Sequence, residues 1–317
     1  MWQALKRTAE RLLDSVNRSL RRPRRFPVAQ REMSTPAAAH GPLRRILVTD
    51  GVAHTLFEEY AAHRSEAHGD EETGWVLLGL REAEEAVVLA TLPAGAEADA
   101  GVAHIRFNSD AQALAYRIVR QKERRLTIVG VVHTHPGSLR HPSDGDYQGD
   151  SEWVARLRGG EGVFGIGTAD GSDSAALFAH QPRPNVQCLA DLRFSWYGLG
   201  RGDSDYRPLP LELTIGPDLA RPLHLLWPTL EAHAERIDRL YRQTAGLRFE
   251  VTTDERGPGL MLTLPLAAGG EALCVLVRQK EVRYRVLRGG DLFAVDTPDE
   301  CVDRAVYLLL AELAGGA

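Results

Sequence analysis

The sequence predicts an α/β fold, a mixed sheet flanked by helices, which is followed by a C-terminal α+β domain. The 317 residues exceed the roughly 250 to 300 at which single hydrophobic cores stop growing, so we expect two domains. Apolar, β-branched runs alternate with stretches of helical periodicity up to about residue 182. Prolines and glycines then cluster in residues 183–225, which indicates a connection between the domains.

The composition is typical of a soluble globular protein, with 44% hydrophobic and 26% charged residues. Residues 1–45 contain eleven Lys and Arg against three acidic residues, a net charge of +8. Because the whole chain has a net charge of −5, the remaining residues carry −13 and form an acidic body. Binding to nucleic acid requires a surface that neutralises phosphates. We therefore expect no nucleic-acid partner. No apolar run approaches the roughly 20 residues of a transmembrane helix.

The cysteines and the first residues indicate the compartment. Cys188, Cys274 and Cys301 form no C-x-x-C pair, which disfavours a disulfide framework or a Cys-rich zinc site. Charges interrupt the first twenty residues, so they lack the continuous apolar stretch of a secretion signal. We expect a cytoplasmic protein.

The N-terminal segment, residues 1–45, reads as a basic amphipathic helix and a linker. Apolar side chains recur at helical spacing over residues 1–20, with most basic side chains on the other face. Such a helix docks on the rest of the protein or on a partner subunit, or binds a membrane surface. Residues 21–41 contain three prolines and no periodicity, which is typical of a tether.

The first domain, residues 46–182, begins with a strand and continues with alternating helices and strands. Alternation, β-branched runs and the cap signal Asn108-Ser109-Asp110 place these elements. Strands are predicted at 46–51, 75–80, 86–92, 126–133, 163–168 and 175–180. Helices are predicted at 52–67, 108–125 and 149–157.

The second domain, residues 226–317, reads as a helix, four short strands and a final helix. The predicted bounds are 229–245 for the first helix, 247–252, 259–264, 272–278 and 282–287 for the strands, and 298–313 for the last helix. This order gives an α+β accessory domain.

A cluster of metal-ligand side chains follows the predicted strand 126–133. The run HTHPGSLRHPSDGD places His133, His135, Ser143 and Asp146 in the frame H-x-H-x7-S-x-x-D. Two histidines one residue apart at a strand end point to the same side, and a carboxylate from the next helix supplies a third ligand. The fourth zinc position is left for water.

This frame resembles that of the JAMM/MPN zinc metallopeptidases, whose fold is a cytidine-deaminase-like mixed sheet flanked by helices. The resemblance covers about residues 46–182. The family pattern includes an upstream Glu, and EETGWVLLG supplies Glu72 seven residues before Gly79. Glu71 is the competing choice, but strand alternation would direct its side chain away from the site. Pro136 after the second histidine is also usual in bacterial members.

The resemblance implies metal-assisted hydrolysis. Zn²⁺ bound by His133, His135 and Asp146 would activate a water, Glu72 would take its proton and pass it to the leaving amine, and Ser143 would hydrogen-bond the oxyanion. No covalent intermediate is needed, so the three cysteines become packing residues.

Three further side chains near the motif compete for these roles. Where relatives often have S-P-T-D, this chain has S-D-G-D, and spacing selects Asp146 over Asp144 and Asp150. Asp144 is expected to cap a helix, and Asp150 to be solvated or to support the ligands. His141 is expected to face solvent or substrate, because catalytic zinc sites have three protein ligands. All five catalytic positions are filled, which argues against a metal-free scaffold.

The family resemblance also narrows the substrate. The chain lacks the H-N-H-P-S-G signature of the RadC-like branch and the second hydrolase of phage-tail peptidases. We therefore expect a zinc peptidase or isopeptidase that processes or removes a ubiquitin-like protein at its C-terminus, in a bacterial ubiquitin-like conjugation pathway such as antiviral defence. Activating and conjugating enzymes would be further partners. The alternatives are a non-catalytic MPN scaffold subunit and a peptidase that trims a sulfur-carrier protein.

The element order of residues 226–317 resembles that of conjugating-enzyme-like or RWD-like folds. No His-Pro-Asn stretch with a following cysteine is present, so this domain is expected to bind a substrate or partner. An unrelated α+β accessory domain, or one that dimerises, is the alternative.

Overall fold

A computed structural model describes five stretches of the chain: residues 40–95, 109–169, 179–266, 270–297 and 301–315. The predicted basic helix over residues 1–20 and almost all of the tether lie outside them. The described residues divide into two compact units: the first contains 40–94, 109, 125–169 and 179–219, and the second contains 95, 110–124 and the described residues from 220 onward. The domain bounds drawn from the sequence stay a prediction.

A mixed sheet organises the first unit, and ten of its strands fall within the described residues. These are β1 (Arg45–Thr49), β2 (Gly74–Arg81), β3 (Glu85–Pro93), β4 (Thr127–Thr134), β5 (Glu161–Thr168), β6 (His180–Arg183), β7 (Val186–Leu189), β8 (Leu192–Gly200), β9 (Arg207–Pro208) and β10 (Leu211–Thr214). The order is β10-β1-β3-β2-β4-β5-β8-β7-β6, with β9 paired to β8. The pairs β1–β10, β1–β3 and β4–β5 are parallel and the others are antiparallel, which confirms the predicted mixed sheet.

Six α-helices lie in the described residues: α1 (Asp50–Arg64), α2 (Ser109–Lys122), α3 (Asp144–Val154), α4 (Arg221–His224), α5 (Trp227–Gln243) and α6 (Val302–Gly315). The first unit contains α1 and α3. Thr49 caps α1 by accepting a hydrogen bond from the backbone N–H of Val52 at 3.3 Å. The apolar side of α1 packs into the core, where Phe57 and Trp75 meet the ring of Phe194 edge-on at 5.0 and 6.4 Å.

The second unit contains a five-stranded antiparallel sheet in chain order. Its strands are β11 (Arg248–Asp254), β12 (Gly257–Pro265), β13 (Ala272–Arg278), β14 (Glu281–Arg288) and β15 (Asp291–Val295). The sequence predicted only four strands. It missed β15 because DLFAV is a short run in which apolar and polar residues do not alternate. The α+β character of this unit agrees with the prediction.

Much of the stretch 183–225, expected to be a connection, instead contributes the strands β7 to β10 to the first sheet, and the boundary between the two units falls within it, after Leu219. Leu192, Phe194 and Trp196 alternate inward along β8 and are buried in the core. The prolines misled the prediction because they occupy turns and strand ends: Pro184 lies in the β6–β7 turn and Pro208 ends the two-residue strand β9.

Two smaller differences concern the first unit. Helix α3 begins at Asp144, five residues before the predicted start, because Ser143 caps it. The expected strand over 175–180 falls mostly on residues outside the described stretches. None of the described helices is long and apolar enough to cross a membrane.

Candidate metal centre

The end of β4 places two histidines in the interior of the first unit. His133 lies opposite Ile166 of β5 and Gly74 of β2, and the backbone N–H of His135 donates to the Gly167 carbonyl at 2.8 Å. Both imidazoles are buried, with 8% and 6% of the residue exposed. The sheet thus fixes the backbone under both rings.

A backbone carbonyl fixes the tautomer of the second histidine. Nδ1 of His135 lies 2.9 Å from the carbonyl oxygen of Leu139. A carbonyl can only accept a hydrogen bond, so Nδ1 carries a proton there and Nε2 keeps its lone pair when the ring is neutral. This is the usual arrangement behind a histidine that binds a metal.

The carboxylate comes from the first turn of α3. Ser143 is the N-cap, and its hydroxyl accepts from the backbone N–H of Asp146 at 3.2 Å. In return, Oδ2 of Asp146 accepts from the backbone N–H and the hydroxyl of Ser143 at 2.7 and 2.8 Å. This reciprocal capping box holds the Asp146 side chain in one orientation.

The three side chains converge. Nε2 of His133 and Nε2 of His135 are 3.0 Å apart, and they lie 3.3 and 3.4 Å from the two carboxylate oxygens of Asp146. All these ligand atoms lie within 4.8 Å of one another, and among the described residues this is the group of His, Cys, Asp and Glu that could hold a metal ion. Two imidazole nitrogens and one carboxylate are a donor set that suits zinc.

The charges in this site favour a cation. Burial lowers the pKa of His133, but the hydrogen bond and charge of Asp146, with the charges of Glu72 and Asp150, raise it to about 9. Burial raises the pKa of Asp146, but hydrogen bonds to His133 and His135 hold it well below its usual range. Burial also raises the pKa of Asp150, to about 7. At neutral pH the His133 ring is therefore protonated in the metal-free site, because the neighbouring carboxylates stabilise positive charge there.

The β2–β4 ladder brings Glu72 to the same site. Gly74 lies opposite His133, and the backbone of Thr73 continues the pairing with Thr134 through hydrogen bonds of 2.8 and 2.9 Å. Alternation along the extension of β2 then sends Glu72 to the face that carries His133. Glu72 is 8% exposed and its charge acts on His133.

The rival candidates lie elsewhere. Glu71 has its carboxylate 3.3 Å from Nδ1 of His68, away from the ligand group. His141 is exposed in the loop after β4. Asp144, expected to cap α3, is instead its first residue, because Ser143 occupies the cap position. Cys188 and Cys274 are buried in strands. The catalytic roles of Glu72 and Ser143 stay predictions.

Comparison with known proteins identifies the part of the chain that holds this site. Residues 54–178 match the family described as prokaryotic homologs of the JAB domain. This part of the chain is similar to a JAB/MPN domain. The match includes every residue of the predicted site, from Glu72 to Asp146. The JAB/MPN family includes hydrolases, and the three convergent side chains are a group that could hold a metal ion.

Two other comparisons add little. The solution structure of protein DSY2949 from Desulfitobacterium hafniense matches with 15% sequence identity and a TM-score of 0.34, over 54% of this chain and 94% of that chain. A TM-score this low carries no argument, so the assignment rests on the family match over the JAB/MPN domain. No curated protein matches this chain in sequence.

Three tyrosines around the metal centre of the JAB/MPN unit were not anticipated from the sequence. The hydroxyl of Tyr206 donates to Oδ2 of Asp150, and the hydroxyls of Tyr147 and Tyr197 donate to the carbonyls of Asp203 and Arg140, each at 2.8 Å. Tyr147 follows the candidate ligand Asp146 directly in the sequence. Each of the three hydroxyls, however, binds a group that lies 56 or 57 residues away along the chain. No local pattern signals such contacts.

Proposed function

We propose that this protein is a zinc-dependent peptidase or isopeptidase that processes or removes a ubiquitin-like protein at its C-terminus. The observation that carries the proposal is the convergence of the ligand atoms of His133, His135 and Asp146 within 4.8 Å, beside the buried Glu72, whose charge acts on His133. A ligand group with a carboxylate beside it is the arrangement that metal-assisted hydrolysis of an amide requires.

The residues fit a catalytic zinc ion. Two imidazole Nε2 atoms and a carboxylate supply three protein ligands, and a catalytic site keeps its fourth position open. When bound, zinc would supply a Lewis acid that lowers the pKa of water and polarises a carbonyl. The hydrogen bond from Nδ1 of His135 to Leu139 already directs the lone pair of Nε2 for this purpose.

The chain's own groups perform the proton transfers and the substrate binding. Glu72 accepts a proton from the attacking water and returns it to the leaving amine, as its place beside His133 allows. Ser143 donates a hydrogen bond to the oxyanion once its hydroxyl turns from Asp146 to the substrate. The exposed loop after His135 leaves the site open to an extended peptide, which pairs with a strand edge.

The substrate class rests on the family resemblance. An extended, flexible C-terminal tail can reach buried side chains such as His133 and His135 more easily than a folded segment can, so a ubiquitin-like protein is a suitable substrate. The pathway would be bacterial ubiquitin-like conjugation in the cytoplasm, with antiviral defence as its setting. Activating and conjugating enzymes of that pathway would be the partners of the second unit. These steps extend from the family to this chain by analogy.

Metal analysis and a cleavage assay test the proposal. The purified full-length protein should contain stoichiometric zinc and cleave a fusion that carries a ubiquitin-like protein. Glu72→Gln should keep the zinc and lose cleavage, because only the proton acceptor is removed. His133→Ala should lose the metal, and His141→Ala, the matched control from the exposed loop, should keep it.

Four outcomes would count against this function. Protein without zinc, or a Glu72→Ala variant that cleaves as well as wild type, contradicts the catalytic proposal. Zinc-loaded protein that cleaves no ubiquitin-like fusion but binds a partner indicates a JAB/MPN scaffold. Cleavage confined to a sulfur-carrier fusion moves the substrate to that class.

A further inference from the structure

A second carboxylate lies behind the metal ligands on α3. Asp150 follows Asp146 by four residues, so the two side chains share one side of the helix. The charge of Asp150 acts on His133 as well as on Asp146. Asp150 is nevertheless outside the group of possible ligands. Asp150 therefore acts on the site through its charge without belonging to the ligand group.

The hydroxyl of Tyr206 holds this carboxylate. Tyr206 lies in the segment between β8 and β9, and its hydroxyl donates to Oδ2 of Asp150 at 2.8 Å. Its ring is held in turn, because Phe164 of β5 meets it edge-on with ring centroids 5.6 Å apart. Tyr206 thus presents its hydroxyl from the sheet to α3.

Two more tyrosines support the same contact. Tyr147 and Tyr197 meet the Tyr206 ring edge-on at 6.2 and 6.3 Å. The hydroxyl of Tyr147 donates to the carbonyl of Asp203, and that of Tyr197 to the carbonyl of Arg140 in the loop after His135. We call Tyr147, Tyr197 and Tyr206 the tyrosine cluster. It ties both α3 and the histidine loop to β8 and the segment that follows it.

We propose that Asp150, held by Tyr206, is a positioning residue that sets the affinity of the metal centre. The inference rests on the proposed zinc function. In its ionised form the carboxylate adds negative charge that acts on His133, and this charge strengthens the attraction of the site for a dication. The hydrogen bond to Tyr206 keeps α3, and with it Asp146, in ligating position. Partners behind metal ligands typically change metal affinity by 10- to 100-fold when they are removed.

Two substitutions separate the charge from the hydrogen bond. Tyr206→Phe removes only the hydroxyl and keeps the ring contact with Phe164. Asp150→Asn removes the charge and keeps an oxygen that can accept from Tyr206. Tyr307→Phe is the matched control, because it deletes a hydroxyl whose partner is Gln243 in the second unit. All three variants are made in the full chain.

Zinc affinity is measured by competition with a chelator, and the Co²⁺-substituted proteins give a visible absorption spectrum. We expect Tyr206→Phe and Asp150→Asn each to weaken zinc binding by about tenfold and to alter the Co²⁺ spectrum. Tyr307→Phe should match wild type in both measurements. The melting temperature of the metal-free protein is recorded in parallel to detect simple destabilisation.

The readouts separate positioning from packing. If both variants bind zinc within about twofold of wild type, with an unchanged Co²⁺ spectrum, the inference is overturned even if their melting temperatures fall, because the residues then serve only the fold. In that case the proposed zinc function stands. A wild-type protein that binds no zinc overturns both proposals at once.

Discussion

The carboxylate of Glu161 supports a buried cation, and its removal should be costly. Glu161 begins β5, is 6% exposed, and accepts from the backbone N–H of Leu43 at 2.6 Å. The guanidinium of Arg81, whose side chain is 2% exposed, lies 3.2 Å from the same carboxylate, and Arg207 also donates to it. Burial, and then the charge of Arg207, lower the pKa of Arg81. The negative charge of Glu161 therefore offsets the free-energy cost of burying the Arg81 guanidinium.

The substitution Glu161→Gln leaves Arg81 buried without its counter-charge. Breaking a buried ion pair by removal of one partner costs about 3–5 kcal/mol. For a unit of this size each kcal/mol lowers the melting temperature by roughly 2–4 °C, so the expected decrease is roughly 6–20 °C. Such a loss is a large share of the roughly 5–15 kcal/mol that typically stabilises a domain.

Thermal and urea unfolding of the metal-free protein, followed by circular dichroism, measure this loss. The matched control is Glu85→Gln, which breaks a surface pair with Arg45 at 2.8 Å whose side chains are 28% and 46% exposed. Exposed pairs contribute about 1 kcal/mol or less. The reasoning would be refuted if the free energies of unfolding of Glu161→Gln and Glu85→Gln differed by less than about 1 kcal/mol.

Three further predictions concern the metal centre. In metal-free protein the pKa of His133 is raised from 6.5 to about 9, so the protonated ring contributes its full stabilisation of the fold below pH 6.5 and loses it as the pH rises through 9. Unfolding midpoints measured between pH 6 and 10 should decline accordingly. An equally steep decline in the Asp146→Asn variant would contradict this assignment. Ser143→Ala should lower the free energy of unfolding by about 1 kcal/mol through loss of the helix cap, and should lower kcat about 10²- to 10³-fold through loss of the oxyanion donor. Ser143→Thr keeps the cap. Unfolding and cleavage assays that find Ser143→Ala equal to wild type would exclude both the capping and the oxyanion role. Gly74→Ala places a Cβ 2.6 Å from the Val132 carbonyl oxygen, a distance too short for a normal contact, so β2 and with it Glu72 should shift. The rate of cleavage should therefore fall. An unchanged kcat/KM would show that the pairing of β2 with β4 tolerates the methyl group.

The ligand group could be predicted from the sequence because its geometry is local. His133 and His135 are two residues apart at a strand end, and Asp146 lies in the first turn of the following helix. These residues lie within 14 positions of one another in the sequence, so their spacing indicates the ligand group even when the rest of the fold is unknown. Glu72 required one non-local step, the pairing of β2 with β4, which the family pattern supplied.

The elements that escaped prediction depend on partners far along the chain. The strands β7, β9 and β10 are two to four residues long, and prolines lie in the turns of this segment, so it resembles a linker in composition. Its role appears only through pairing, as when β8 lies beside β5 and β10 beside β1. The tyrosine cluster was missed for the same reason, since each of its hydroxyls reaches a group 56 or 57 residues away.

These late strands should decide whether the site can form at all. A fragment of residues 40–182 keeps all five motif residues but lacks β8, and with it Phe194 and Trp196, both 0% exposed. Removing one large buried aromatic side chain costs about 3–5 kcal/mol, so the loss of two approaches or exceeds the stability of a typical domain. The fragment also lacks Tyr197 and Tyr206. We therefore expect it to remain unfolded by circular dichroism and to bind zinc far more weakly than the full chain; a folded fragment with the zinc affinity of the full chain would show that the motif segment is self-sufficient.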